Sequence, residues 1–305
     1  MVIPKEPQGR PVSAKPSGEV PEHTAEQGGG SGNLDFRQGG KLSPAISNLP
    51  RVVYGGDRQI AVNVLRFLHE QELRPLGLLL PEQGSGSHTE RLLSLCPHLD
   101  ASRIWYGKCF GDPTVLDTLG SLELDYILCI HLSTFIPKNV LEIPKHGVLN
   151  LHPAYLPYNR GWHSAVWSIL EGTPFGATLH FMNDRLDEGD IVHQKSLGKR
   201  PNDTGDSLYK RAMELEFEVF REAWPALASF SYTRTPQRHD LATRHKIKDL
   251  AASGVQELDP NSTMSVRDVL DRLRALTTNR PDEASFLMDK GRKYRIQVSI
   301  TEVAE

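Results

Sequence analysis

The chain has 305 residues, 38% of them hydrophobic and 24% charged, with a formal net charge of −3. That length supports one substantial core and a smaller appended unit. The near-balanced charge argues against a nucleic-acid partner, and three scattered cysteines argue against a disulfide framework or a thiolate zinc site.

No apolar run approaches the roughly 20 residues needed to span a bilayer. The N-terminus reads Met1-Val2-Ile3-Pro4-Lys5 and then turns polar, without the apolar stretch of a signal peptide. A soluble, cytoplasmic protein with no membrane partner is expected. Residues 1–48 are rich in Gly, Pro, Ser, Glu and Gln and include Gly28-Gly29-Gly30-Ser31-Gly32. With little apolar surface to offset the entropy of ordering, they are expected to form a disordered tail.

From Arg51 strands and helices alternate. Val52-Val53-Tyr54-Gly55-Gly56 reads as a strand running into a turn, and Ile60, Val64, Leu65 and Leu68 have the spacing of a buried helical stripe. Gly55-Gly56 lacks the rest of a G-x-G-x-x-G motif and any P-loop lysine, so it reads as a turn. Further strands are expected at Leu76–Leu80, Arg103–Tyr106, Tyr126–Ile130 and Gly147–Leu151. Cys129, in the apolar fourth strand, reads as a packing residue. Apolar strands joined by helices imply an α/β fold with a doubly wound, mostly parallel sheet.

A long helix is expected from Thr204 to Phe230, with Leu208, Ala212, Leu215, Val219, Ala223 and Leu227 as its stripe and Asp203 or Thr204 as its cap. Pro236 breaks the pattern. A short helix carrying Val266, Val269, Leu270, Leu273 and Leu276 follows. Then comes a hairpin in which Phe286 and Met288 face Tyr294, Ile296 and Val298 across Asp289-Lys290-Gly291. The expected division is a tail over 1–48, a main domain over 49–232 and a small α+β module over 233–305.

The chemistry concentrates between Leu149 and Gln194. Asn150 and His152 are two apart on a strand, so their side chains share a face. They lie at the carboxyl end of a parallel strand, where open α/β sheets bind ligands. Pro153, Pro157 and Gly161 force the next residues into a loop over the same place. Asp187 follows within Asp184-Arg185-Leu186-Asp187-Glu188-Gly189-Asp190-Ile191. An amide N–H to hold an oxyanion, an imidazole to move protons and a carboxylate to orient that imidazole suit formyl transfer to an amine. Taken singly, each residue also has an ordinary reading as a cap, a satisfied histidine or a turn former. His163, His180 and His193, with His152, show no H-E-x-x-H spacing, and no metal is expected.

The combination N-x-H-P-x-x-L-P-x-x-x-G, followed by D-x-G-D-I, resembles the catalytic domain of the N10-formyltetrahydrofolate-dependent formyltransferases, most strongly from Tyr126 to Leu197. The resemblance implies a Rossmann-like fold and an Asn-His-Asp triad of Asn150, His152 and Asp187. It also implies a folate pocket along Leu132, Ser133, Thr134, Phe135 and Ile136, although His131-Leu132-Ser133 departs from the small turn usual there. His152–Gly161, Trp167-Ser168-Ile169, Thr173–His180, His245–Leu250 and Val269–Thr277 resemble the sugar N-formyltransferases that act on dTDP-linked 4-amino-4,6-dideoxyhexoses. That branch implies N10-formyltetrahydrofolate as co-substrate, a nucleotide-linked amino sugar as acceptor and the C-terminal hairpin as a candidate homodimer surface. Tyr158, Asn159, Arg160 and Trp162 are the candidate acceptor contacts, with Arg160 either on a phosphate or solvating its loop. A methionyl-tRNA formyltransferase would be expected to carry a larger, basic C-terminal domain. A non-catalytic folate or nucleotide-sugar binder on the same fold is the alternative of another class.

Overall fold

A computed structural model of the protein describes residues 49–303. The tail expected over 1–48 lies outside the described residues. Strand residues of opposite parity point to opposite sides of a sheet, and here both parities are apolar. In β1 (Val52–Gly56), Val52 and Tyr54 enter one buried cluster while Val53 enters another. α1 (Arg58–Glu70) follows at once and buries Ile60, Val64, Leu65 and Leu68, the stripe read from their spacing. β2 (Leu78–Leu80), α2 (Thr89–Leu95), β3 (Ile104–Tyr106), α3 (Pro113–Ser121), β4 (Tyr126–Ile130), α4 (Lys138–Leu141) and β5 (Gly147–His152) continue the alternation. Next come β6 (Arg160–Gly161), α5 (Ser164–Leu170), β7 (Gly176–Phe181), β8 (Ile191–Ser196) and α6 (Gly205–Ala228). β9 (Arg244–His245), α7 (Asp249–Ala252), α8 (Val266–Ala275), β10 (Ser285–Asp289) and β11 (Arg292–Ile296) follow.

The seven-stranded sheet has the order β3-β2-β1-β4-β5-β7-β8. β1 to β5 pair in parallel, whereas β5 with β7 and β7 with β8 are antiparallel. Leu128, Ile130, Leu149 and Leu151 join the cluster that α1 and α6 cover. Ile127, Cys129 and Val148 join the other, with Val115 and Leu119 of α3 and Val140 of α4. The fold is therefore α/β and doubly wound, with an antiparallel edge. Strand order reverses at β1, and the crevice beyond the carboxyl ends of β1 and β4 is the natural ligand site.

β7 goes unread in the sequence. All six of its residues are buried, so Gly176-Ala177-Thr178-Leu179-His180-Phe181 shows no polar–apolar alternation. In α6 the expected stripe is buried throughout. Thr204 and Ser207 close a reciprocal capping box: Ser207 N donates to Thr204 Oγ1 at 3.2 Å and Thr204 N to Ser207 Oγ at 2.8 Å. The helix stops at Ala228, short of Phe230, because Phe230 takes a left-handed φ of 56°.

The short helix expected near the C-terminus is α8, whereas the hairpin register needs correction. α8 buries Ala275 and its C-terminal neighbour Leu276 against Ala165 and Val166 of α5, but Val266 and Leu270 are 77% and 46% exposed. β10 and β11 pair Leu287 with Tyr294 and Phe286 with Arg295. The expected facing is one residue out because the turn is Lys290-Gly291 alone, both at positive φ (47° and 77°), the two-residue type that fits strand twist. A one-residue slip changes every face. Among the described residues no helix is long and apolar enough to cross a membrane.

Candidate active site

β5 carries Asn150 and His152, and antiparallel β7 sets His180 opposite Asn150 and Thr178 opposite His152. Asp187 comes in from the turn between β7 and β8. Its backbone holds a left-handed φ of 54°, a conformation that a non-glycine residue keeps only when its surroundings hold it there. Three contacts do so. Gly161 N donates to Asp187 Oδ2 at 2.9 Å, and Gln237 Nε2 donates to the carbonyls of Asp187 and Gly189 at 2.9 and 2.7 Å.

The result is a convergence of four side chains. His152 Nε2 lies 3.7 Å from Asp187 Oδ2, and His180 Nε2 lies 3.6 Å from Asp187 Oδ1. Both separations exceed hydrogen-bond length, as catalytic contacts often do before substrate binds. Asn150 Nδ2 is 3.2 Å from His180 Nε2, and His152 Nε2 is 3.2 Å from the Asn159 carbonyl. Burial pushes the His180 pKa down to about 4, against the opposing pull of Asp187. His180 is therefore neutral near pH 7. Its Nδ1, 2.8 Å from the Phe181 carbonyl, carries the proton, which leaves Nε2 to accept from the Asn150 amide. That bond fixes the Asn150 amide group with its nitrogen toward His180 and one N–H to spare.

These residues open on a cavity of about 600 Å³. Leu132, Ser133, Thr134, Phe135 and Ile136, from the loop after β4, line one wall. Ile136 is packed into the core beneath, while Phe135 is 77% exposed at the rim. Trp162 and His163 line it from the loop after β6, and Arg58 and Tyr209 from α1 and α6. Thr278, Arg280 and Glu283 reach it from the C-terminal segment. Glu283 pairs with Arg280 at 2.6 Å and with His163 at 3.5 Å. Among the described residues no group of three or more His, Cys, Asp or Glu side chains is arranged to hold a metal ion.

Of the four candidate acceptor contacts, only Trp162 lines the cavity. Asn159 is fully buried, and its Nδ2 donates to Thr173 Oγ1 and the Pro174 carbonyl at 3.0 and 3.3 Å. Arg160 is 2% exposed and donates to Gln237 Oε1 at 2.7 and 3.1 Å. It also faces Glu188 at 3.4 Å. Glu188 in turn meets Arg185 at 3.5 Å and pairs with Arg244. Arg160 is thus a buried strut under the Asp187 turn, and neither it nor Tyr158 lines the cavity. His180, Arg58, Tyr209, Arg280 and Glu283 were missed. His180 had a signal, since a histidine directly across from Asn150 follows once β7 is paired with β5. The others come from distant segments and had none.

The chain matches a formyl transferase domain over residues 97–224 and an N-formyltransferase dimerization C-terminal domain over 251–302. It is 33% identical over 178 residues to the dTDP-4-amino-4,6-dideoxyglucose formyltransferase of Mycobacterium tuberculosis, covering 57% of this chain and 72% of the relative. Identity to the methionyl-tRNA formyltransferase of Alkaliphilus oremlandii is 27% over 209 residues, 66% of this chain and 67% of that one. In fold it is similar to a sugar N-formyltransferase from Shewanella, with a TM-score of 0.70 at 20% identity over 84% of this chain and 99% of that one. It is also similar to a Helicobacter canadensis N-formyltransferase solved with folinic acid and dTDP-3-aminofucose, with a TM-score of 0.59 at 15% identity over 80% and 85% of the two chains. The first domain spans every residue of the Asn150–His152–His180–Asp187 convergence, and the chain belongs to the formyltransferase family, where it is most like the sugar N-formyltransferases.

Proposed function

We propose that the protein transfers a formyl group from N10-formyltetrahydrofolate to the amine of a nucleotide-linked amino sugar of the dTDP-4-amino-4,6-dideoxyhexose type. The observation that carries this reading is the convergence of Asn150, His152 and Asp187 at a cavity whose adjoining wall is the Leu132–Ile136 loop. That loop suits a flat heteroaromatic donor: it offers backbone groups to a pterin edge and the free aromatic face of Phe135. The relative with 33% identity is a formyltransferase for a dTDP-linked 4-amino sugar, which supports the acceptor class.

In this reaction the acceptor nitrogen forms a bond to the formyl carbon, and the bond from that carbon to the donor nitrogen breaks. The spare N–H of Asn150 holds the oxygen as it gains negative charge, a contribution of about 3–4 kcal/mol for one such donor. Neutral His180 keeps that amide aimed. His152 accepts the proton that the attacking amine loses and returns it to the departing nitrogen, worth roughly 10²- to 10⁴-fold in rate. Asp187 orients the His152 ring and offsets its charge while it holds the proton. No step calls for a metal ion.

We assign 49–232 to the catalytic domain and 233–305 to a C-terminal module that pairs two copies. Exposed Val266, Leu270, Met288 and Tyr294 and the match over 251–302 to a dimerization domain support a homodimer. That module is small, whereas a tRNA-modifying enzyme would be expected to carry a larger, basic domain there. A mass-spectrometric screen of nucleotide amino sugars, with the folate donor present, tests the assignment. Gain of one formyl group on a dTDP-linked 4-amino sugar is expected. Donor binding with no turnover on any sugar or on methionyl-tRNA would point to a binding protein instead.

A further inference from the structure

The first residue after β4 is His131, in a left-handed backbone conformation with a φ of 53°. A non-glycine residue adopts that conformation uncommonly, and its contacts help to hold the turn. His131 Nε2 lies 2.8 Å from Oε1 of Glu216, with side chains 6% and 0% exposed. Glu216 is on the buried stripe of α6 between Ala212 and Val219, and its Oε2 is buried with no hydrogen-bond partner. A carboxylate there is an expensive choice. A leucine would pack on the same stripe without the cost of desolvating a charge. On its other side His131 Nδ1 faces the Tyr209 hydroxyl at 3.4 Å, and that hydroxyl accepts from Arg58. His131, Tyr209 and Arg58 all line the cavity.

We infer that His131 and Glu216 are positioning residues, a buried pair that sets the placement of the Leu132–Ile136 loop against the formyl donor. This rests on the reading that the loop faces the folate. The loop leaves β4 at His131, so the angle at which Phe135 stands over the cavity is set by where α6 holds the imidazole. Tyr209 and Arg58 buttress the same ring from the cavity side.

The test uses the full-length protein with N10-formyltetrahydrofolate and the nucleotide amino sugar that it formylates. Glu216→Leu removes the carboxylate and keeps an apolar side chain on the buried stripe of α6. This variant is expected to stay folded and to melt below the parent, because losing one partner of a buried pair leaves His131 Nε2 unsatisfied. Its donor KM should rise about 10-fold or more, since small misplacements at a reacting site are costly, while the acceptor KM stays within about twofold. Glu216→Gln keeps an acceptor for His131 and should recover much of the loss. Hydrogen–deuterium exchange should quicken at residues 131–136 in Glu216→Leu and stay unchanged in β5. Tyr209→Phe, which leaves the pair intact, should raise donor KM only about threefold, the loss of one hydrogen bond. An unchanged donor KM in folded Glu216→Leu, a parallel rise in both KM values, or unchanged exchange at 131–136 would overturn the inference. Should Glu216→Leu not fold, an unchanged donor KM in Tyr209→Phe overturns it too. If the parent transfers no formyl group at all, the functional reading fails, and the exchange comparison alone still decides whether the pair sets the loop.

Discussion

Asp187→Asn removes a charge and little else. The amide oxygen can still accept from Gly161 N, as Oδ2 does at 2.9 Å, and the backbone carbonyl keeps its bond from Gln237. What is lost is the attraction between the carboxylate and a charged His152 ring 3.7 Å away. With an effective dielectric of about 20, two unit charges at that distance attract by about 4 kcal/mol. Each 1.36 kcal/mol or so is tenfold in rate, which caps the effect near three orders of magnitude. The amide still orients the ring, so kcat should fall about 10²- to 10³-fold. The melting temperature should move by only about 2–4 °C, because the packing is isosteric. Steady-state formylation followed by mass spectrometry, with a thermal melt on the same sample, reads both quantities. A folded Asp187→Asn enzyme with kcat within about fivefold of the parent would refute the assignment of Asp187 as partner of His152.

Arg160→Gln tests the strut: Gln237 Oε1 loses its buried donor while Glu188 keeps Arg244, so stability should fall by about 1–3 kcal/mol by denaturant titration, whereas a phosphate contact would instead raise acceptor KM with stability intact. Gly161→Ala should lower both stability, by about 2 kcal/mol or more, and activity. The residue has φ +90°, and its new Cβ would meet the His245 carbonyl oxygen at 2.2 Å; an unchanged melt would contradict this. His180 governs acid sensitivity: its folded pKa is lowered from 6.5 to about 4, so the unfolded chain takes up a proton that the folded one refuses. Stability should therefore be full above pH 6.5 and fall by about 3 kcal/mol, at 1.36 kcal/mol per unit, as pH drops from 6.5 to 4. His180→Gln should flatten that part of the unfolding profile, and an unaltered slope would count against a buried neutral imidazole.

The parallel half of the sheet was legible because its strands are short apolar runs at both parities, and α1 and α6 because their stripes repeat at helical spacing. Asn150 and His152 were legible for a related reason: two residues apart on any strand means one face. Asp187 could be named, but not what holds it. Its supports are Gly161, Gln237 and the Arg160–Glu188 contact, and only a folded chain brings those together. Asn159 and Arg160 show the opposite failure. Polar residues in a Pro- and Gly-rich loop look exposed, yet both are buried, Asn159 against Thr173 and Pro174 and Arg160 against Gln237 and Glu188. The hairpin register turned on a single residue of turn length, which pattern alone does not settle.

Glu188 binds together arginines from three parts of the chain: Arg160 before α5, Arg185 in its own turn and Arg244 beyond α6. Gln237, also beyond α6, clasps the adjoining Asp187 turn. A nascent chain emerging from the ribosome would therefore present Asn150 and His152 on a finished strand well before Asp187 had anything to rest on. The reactive constellation is closed last, by residues that take no part in the reaction. A fragment cut at residue 232, where the sequence pattern ends the first domain, would keep the sheet and lose the clamp.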